Sequence, residues 1–537
     1  MSEFKFRTED IRPEEILPLF VATKQDRSIV DQLKAPTPVV LEGSRGTGKS
    51  FLLRVAEAEL DRAFVGNHEL PVYVSFAKSS LLHTADPLQF HNWMLSRLCS
   101  RLVRAFEQRG LLTRPLPATS ILAGEMAPVP GAHHKIQQIA QQYEDSYRSP
   151  GQTVNVEGLP DVESFRDAVE DLCRAFDVKR ITLFFDEAAH IFRPEQQRQF
   201  FTLFRDLRSP FIGCNAAVYP GVTYYGSTFQ PAHDATLLKI DRDILDPDYL
   251  RSMREIVERQ AGSELLAAMA RNSGNFNLLA YAVSGNPRLL LKTVARAAKM
   301  NSQQVGSVVK EFYRSDIWSE HTALSDVYSG HKKLVDWGRD FLEGQVLIET
   351  KAKNDQWRAE GKTESTCYFW IHRDAPAAVI EALRLLSYTG IVVRGESGVR
   401  ATRSELGTRY AVNLGCLFAL EANPAATGLQ IAQQLTPKRF SEYGANHPSY
   451  RSLLDVVGTL TEPDMTAILK EQLGKPITVL DITKWQFDNL TSVGLDTVGK
   501  VLEATEEKLQ QIKWVGEKRS RRIKNEVVEW VLEYLSG

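Results

Sequence analysis

The chain has 537 residues, 43% hydrophobic and 25% charged, and its 65 Lys plus Arg nearly balance its 67 Asp plus Glu. That is an ordinary globular composition; at about 150 residues per domain it predicts three to four domains, and it excludes a polybasic chain but not a local basic patch. The five cysteines (Cys99, Cys173, Cys214, Cys367 and Cys416) never form a CxxC, so the sequence carries neither a zinc ribbon nor an obvious disulfide framework. The charged start MSEFKFRTED does not read as a signal peptide. No apolar run approaches about 18 residues. A cytoplasmic protein with no membrane span is expected.

In chain order, the first strong signal is Thr37 to Leu60: a β-branched run, a glycine-rich turn, then a helical pattern. Within it, Gly43-Ser44-Arg45-Gly46-Thr47-Gly48-Lys49-Ser50 fits G-x-x-x-x-G-K-[ST]. The glycines let backbone N–H groups turn inward around a phosphate, and the helix that follows aims its positive end at the same anion. Lys49 can reach the β- and γ-phosphates, and the Ser50 hydroxyl can ligate Mg²⁺. These eight residues, with Phe51 next to them, are the expected nucleotide-binding set.

A strand follows at Pro71–Phe76, and then, between about 112 and 160, a segment rich in Pro, Gly, Gln and Ser. It reads as an insertion outside the core, partly loop and partly a Gln-rich helix over Lys135–Tyr147. The apolar run Ile181–Phe185 ends in Asp186-Glu187. A buried strand delivers Asp186 to the sheet edge to hold the metal through water, and Glu187 can orient and deprotonate the attacking water. His190 reads as an ordinary helix or loop residue. Arg205 and Arg208 end the next helix, where either could be an arginine finger reaching a neighbouring subunit or simply a surface residue. On the strand Pro210–Tyr219, Asn215 could reach the γ-phosphate or be satisfied by backbone. The alternation of strands with helices predicts an α/β fold with a parallel sheet covered by helices.

After about Asp241 the strands stop. Residues 244–300 read as a helical lid in which Ser284-Gly285-Asn286-Pro287-Arg288 opens a helix: Asn286 suits the N-cap and Pro287 the first turn. Arg288 opposes the helix dipole there, a conflict that a nearby polyphosphate would remove and a surface salt bridge would also explain. Further on, the helix Val379–Gly390 leads into a hairpin over Ile391–Arg403, as a winged helix does. Arg394, Arg400 and Arg403 on that wing are either a second nucleic-acid contact or a solvated face. Residues 424–475 are polar and read as a linker or helical region.

Two short helical hairpins close the chain. Leu509, Ile512, Val515 and Ile523 supply core positions of the second, Gly516 permits its tight turn, and Trp514 stands where the common G-h-G hairpin has its first glycine. Val515, Gly516, Lys518, Arg519 and Arg522 are the expected DNA-contacting set, through N–H groups at the helix start and charge beside them. Leu490–Val498 reads as a less basic first copy. Charge over Leu490–Gly537 balances, eight Lys/Arg against eight Asp/Glu. Contact of this kind is salt-sensitive and weakly sequence-specific, and such modules also bind protein.

Taken together, the motifs over roughly residues 36–410 resemble AAA+ ATPases of the origin-recognition and STAND-like branch. The resemblance implies Lys49 and Ser50 as Walker A, Asp186 and Glu187 as Walker B, Asn215 as sensor 1 and Arg288 as sensor 2. The carboxy-terminal hairpins are similar to the helix-hairpin-helix domains of DNA-repair proteins. The expected division is a P-loop core (1–240), a helical lid (241–300), a winged-helix-like domain (301–423), a linker region (424–475) and a tandem helix-hairpin-helix domain (476–537). The expected cofactors are ATP and Mg²⁺. The expected partner is DNA, with homo-oligomerisation or an effector protein as further associations. The expected activity is an ATPase whose nucleotide state sets DNA or partner engagement. The architecture of similar families implies mobile-element defence or genome maintenance; a STAND-like signalling switch and a non-catalytic adaptor are the alternatives.

Overall fold

In a computed structural model, the protein is described over residues 4–112, 116–125, 134–188, 194–220, 223, 225–226, 228–327, 331–454, 473–480 and 482–535. His190 lies outside the described residues. Five strands form the first sheet: β1 (Val39–Glu42), β2 (Glu69–Ser75), β3 (Arg180–Asp186), β4 (Ile212–Val218) and β5 (Thr236–Lys239). Their order is β2-β3-β4-β1-β5 and every pairing is parallel. A parallel sheet is buried on both faces, so its central strands read as apolar runs without alternation. Every residue of β3 and β4 is buried.

Alternate side chains feed two cores. Leu183, Phe185, Cys214 and Ala216 face helices Gln89–Gln108, Val162–Ala175 and Pro194–Asp206. Val39, Leu41, Phe184 and Ala217 face helices Lys24–Leu33 and Lys49–Asn67. The strand Thr236–Lys239 was not foreseen. It is an edge strand whose residues alternate between half-buried and exposed.

The segment expected to lie outside the core belongs to it. Helix Lys135–Asp145 buries Ile136, Ile139, Ala140 and Tyr143, the i, i+3, i+4, i+7 spacing of one helix face, against helix Gln89–Gln108. Its glutamines occupy the other face and hide that stripe in the composition. Residues 113–115 and 126–133 of the segment lie outside the described residues.

One continuous core runs from Tyr249 to Leu453, so the lid helices and the region after them share their packing. Here β6 (Tyr368–His372), β7 (Val392–Arg400), β8 (Leu406–Val412) and β9 (Ser441–Tyr443) form a sheet of order β7-β8-β6-β9. The helix before the ribbon runs Ala377–Thr389, with Gly390 in the left-handed conformation ending it. Two corrections follow. The ribbon does not close within Ile391–Arg403: that run is nearly all β7, kinked by irregular pairing near Ser397, the turn spans residues 401–405, and the return strand β8 begins only at Leu406. Of the two readings of the region after 423, the helical one holds over Pro424–Gln433, and up to 454 the region is packed rather than linker, since β9 pairs with β6 and Tyr443, Tyr450 and Leu453 are buried. Residues 455–472 lie outside the described residues.

Helices Lys484–Ser492, Val498–Glu503, Glu506–Gln510 and Glu517–Leu535 close on a separate core that includes Leu490, Leu495, Val498, Leu509, Val515 and Ile523. Among the described residues no helix is long and apolar enough to cross a membrane.

Candidate nucleotide site

The loop after β1 wraps the start of helix Lys49–Asn67, with Gly46 and Gly48 at φ +87° and +103°. Gly46 is required for a second reason. A Cβ there would lie 2.8 Å from Asn286 Oδ1 and 3.0 Å from Arg288 Cβ, because the lid packs directly on the loop.

Gly285 (φ +83°) would place a Cβ 2.8 Å from the Arg242 carbonyl. Asn286 accepts from Leu289 N–H through Oδ1 (3.2 Å), capping helix Pro287–Arg296, and donates through Nδ2 to the Arg45 carbonyl (2.8 Å). Arg288 donates through Nε to the Phe6 carbonyl (3.0 Å) and through its N–H to the Gly46 carbonyl (3.4 Å). A helix cap is therefore also a staple between lid and phosphate loop.

Lys49 is buried; its Nζ donates to the carbonyls of Gly43 (2.5 Å) and Ser44 (3.1 Å) and sits 3.7 Å from the centroid of the Tyr219 ring. Burial pushes its ammonium down to about 7, with Arg288 acting the same way against the pull of Asp186. Asp186 ends β3 with both oxygens engaged: Tyr73 O–H donates to Oδ2, and Glu187 N–H donates to Oδ1 (3.0 Å). The Arg54 guanidinium stacks 3.4 Å from the Tyr73 ring centroid, which fixes that tyrosine.

Glu187 holds φ +57°, uncommon for a residue with a Cβ, and accepts from the Ser75 hydroxyl (3.4 Å). Burial, with the adjacent Asp186 charge adding to it, raises its carboxyl to about 7. Such a group can take a proton near neutral pH.

One cavity joins Gly46, Gly48, Lys49 and Ser50 to an apolar notch made by Phe6, Ile11, Phe20, Val21, Ile256 and Leu291. The loop end of this cavity is polar and its other end apolar, the two environments that a phosphate chain and a planar base require. Ser50 lines the cavity, and Asp186 is engaged by protein donors, so a Mg²⁺ ion would meet Asp186 through water.

Several residues here escaped the sequence reading. Arg242 donates to the Thr47 carbonyl (2.7 Å) and pairs with the buried Asp26 (3.1 Å). The amino-terminal segment and lid walls of the base notch carry no local motif. Tyr219, just beyond β4, sits over Lys49, nearer the loop than Asn215 within the strand.

Asn215 is a correction. It pairs in register with Val39 at the start of β1, three residues before the edge, about 10 Å away at 3.3 Å per residue. Its Nδ2 donates to the Leu33 carbonyl (2.9 Å), away from the loop. Arg205 and Arg208 both have partners in this chain, Asp206 with the Thr228 carbonyl and Asp234 respectively.

The end of helix Ala377–Thr389 abuts the phosphate loop. Arg45 N–H donates to the Tyr388 carbonyl (3.4 Å), the Tyr388 ring meets Tyr219 edge-on at 5.0 Å, and Arg45 pairs with Glu320 (3.1 Å). Eleven of the thirteen residues of that helix are buried, so it presents no open face to a groove. On the ribbon, Arg394 lines a cleft with Glu42 and Gly43, and Arg400 donates to the Ser404 carbonyl (3.2 Å).

In the carboxy-terminal hairpins, Gly516, Lys518, Arg519 and Arg522 are exposed, as the sequence suggested. Val515 is not a contact residue: its side chain is in the core and its N–H donates to the Ile512 carbonyl (2.9 Å).

Residues 4–69 match the ORC-CDC6-like family, a span holding the amino-terminal part of the base notch, β1 and the whole phosphate loop. No curated protein matches the chain in sequence. Among solved structures, the Walker-type ATPase PABY2304 of Pyrococcus abyssi is similar at 13% identity and a TM-score of 0.38, over 80% of this chain and 98% of that one. The ORC1 protein of Aeropyrum pernix, solved in complex with DNA, gives 14% and 0.33 over 79% and 94%. The ORC2 protein of Aeropyrum pernix, solved as ADPNP–ADP complexes, gives 13% and 0.35 over 80% and 97%. The parallel sheet of order β2-β3-β4-β1-β5, with the glycine loop after β1, is a feature of the chain itself and does not depend on these superpositions. Over residues 4–69, the segment that holds the phosphate loop, this chain is similar to the ORC-CDC6-like family.

Proposed function

We propose that the protein binds ATP and hydrolyses it, and that nucleotide occupancy governs how its later domains engage DNA. The observation that carries this reading is convergence: the Asn286–Arg288 segment is bonded to the phosphate loop, and the charges of Asp186 and Glu187 are felt by Lys49 and Arg45 of that loop. Lys49 and the loop N–H groups hold the β- and γ-phosphates, and Lys49 takes up a proton as it exchanges loop carbonyls for anionic oxygens. Mg²⁺, when bound, neutralises phosphate charge; Ser50 and the water shell of Asp186 would hold it. Glu187 accepts the proton of the attacking water, with Ser75 orienting its carboxylate. Arg288 closes the lid on the phosphates, and Arg242 keeps the loop in shape from behind.

The DNA contact is assigned to the carboxy-terminal hairpins, read as a tandem helix-hairpin-helix unit, with the β7–β8 ribbon as a wing. Exposed Lys518, Arg519 and Arg522 at the start of helix Glu517–Leu535 support it: the first N–H groups of a helix lack intrahelical partners and favour a phosphate. The wing helix does not support groove reading, since its faces are covered.

A second reading, a nucleotide-controlled signalling switch, is favoured by the Arg45–Tyr388 and Arg45–Glu320 contacts, which tie the phosphate loop to the wing region. Turnover measured with and without duplex DNA separates the two. Stimulation by DNA supports the first reading, and a rate indifferent to DNA supports the switch. For the nucleotide site itself, Lys49→Ala is expected to lose ATP binding; retained Mg²⁺-dependent ATP binding in that variant would overturn the assignment.

A further inference from the structure

The tip of the second carboxy-terminal hairpin has features that phosphate binding does not need. Trp514 has φ +68° and is 72% exposed, the most exposed aromatic ring among the described residues. The equivalent position in the first hairpin is Gly494, at φ +79°. The residues after them, Leu495 and Val515, are buried in the same core, which fixes the equivalence. Glycine makes this turn without strain, whereas a bulky side chain at positive φ is disfavoured. A strained, exposed tryptophan at a hairpin tip is an outlier of the kind found where a ligand is contacted.

A second indole shares an arginine with it. Trp485, at the start of helix Lys484–Ser492, is 38% exposed, and the Arg519 guanidinium sits 5.3 Å from its ring centroid. The same guanidinium donates through Nη1 to the Trp514 carbonyl (2.7 Å), so one arginine ties the two tryptophans together. The Lys513 ammonium is 5.8 Å from the Trp514 ring, and Lys518 and Arg522 are exposed on the adjoining helix.

Resting on the nucleic-acid reading above and narrowing it, we propose that Trp514 and Trp485, joined by Arg519, form a stacking platform for unpaired nucleobases, so that this module prefers DNA with a single-stranded segment beside a duplex. Indole faces stack on any base, and the cations take the adjoining phosphates. Paired bases inside a duplex have both faces covered and offer nothing to stack on. The surrounding lysines favour nucleic acid over a protein partner, because lysine is depleted from protein interfaces.

The test uses the full chain at low salt and fluorescence anisotropy with three labelled probes: a blunt duplex, the same duplex with a tail of about 8 unpaired nucleotides, and the single strand. Wild type is expected to bind the tailed duplex at least about fivefold more tightly than the blunt one, the lower end of what one stacked base contributes. Trp514→Gly should bind the blunt duplex as wild type does, lose most of the advantage of the tail, and melt no lower than wild type, because glycine relaxes the turn. Trp485→Ala should lose part of the advantage, and Lys518→Glu should weaken all three probes alike. Equal wild-type affinity for blunt and tailed probes, or a tail advantage untouched in both tryptophan variants, overturns the platform and leaves DNA binding standing. Absence of wild-type binding to every probe overturns the DNA reading and this proposal with it.

Discussion

Replacing Glu187 by glutamine tests the proposed chemistry and the electrostatics of the site together. Glutamine keeps the shape and the bond from Ser75 but cannot accept a proton, so hydrolysis should fall by about 10²- to 10⁴-fold while ATP binding persists. In the nucleotide-free protein, the Glu187 carboxyl is raised from an ordinary 4.5 to about 7, by burial first and by Asp186 second. The folded state then holds a proton that the unfolded chain has released between those values. Stability therefore falls as pH rises through that window, and the full cost is present above 7. At about 1.4 kcal/mol per pH unit the shift corresponds to about 3.4 kcal/mol; halving it for the water still reaching this half-buried group leaves about 1.7 kcal/mol. Urea unfolding of both proteins without nucleotide should show Glu187→Gln more stable by roughly that amount at pH 8, with the difference gone by about pH 4.5. Wild-type turnover should rise with pH through about 7 as the carboxyl loses its proton. Undiminished hydrolysis in the variant, or a stability difference that ignores pH, would refute the reasoning.

Three further expectations follow from the loop and its lid. With Lys49 pushed down to about 7, ATP binding at pH 8 should draw in a proton, seen by calorimetry as a binding enthalpy that varies with the buffer's ionisation enthalpy. Asn286→Ala removes a helix cap and the bond to the Arg45 carbonyl; a loss of about 2 kcal/mol in unfolding free energy is expected, with weaker ATP binding in a titration. Arg242→Ala strands the buried Asp26 and frees the Thr47 carbonyl, costing about 3–5 kcal/mol, and adding Asp26→Asn should recover much of it in the same unfolding assay.

What could be read from the sequence was local. The phosphate loop, the strand ending in Asp186 and the Asn286–Pro287 helix start each lie within a few consecutive residues, where backbone geometry and capping impose residue types directly. Positions set by pairing between distant segments were not legible. Asn215 stood open between a phosphate contact and a backbone bond because only strand register reveals that Tyr219 lies nearer the phosphate loop. The base notch draws Phe6, Phe20, Ile256 and Leu291 from both ends of the first 300 residues, and an apolar side chain carries no mark of which cavity it lines. Val515 was legible as a core position of its hairpin, but that its N–H is already taken by the Ile512 carbonyl shows only in the folded turn. The helix Lys135–Asp145 was legible but its place in the core was not, because its outward glutamines dominate the composition while its inward stripe makes the contacts.

The central claim is that a nucleotide at the phosphate loop controls the DNA-facing end of the molecule, through a loop held by Asn286 on one side and Tyr388 on the other. The most direct measurement is the affinity of the full chain for tailed duplex across a salt series, with ATP and Mg²⁺, with ADP and Mg²⁺, and without nucleotide. Affinities that fall with salt and differ at least about fivefold between ATP and ADP, the lower range of an ordinary coupling free energy, are the result expected. Identical affinities in all three nucleotide conditions, in protein shown to bind both nucleotides, would contradict it.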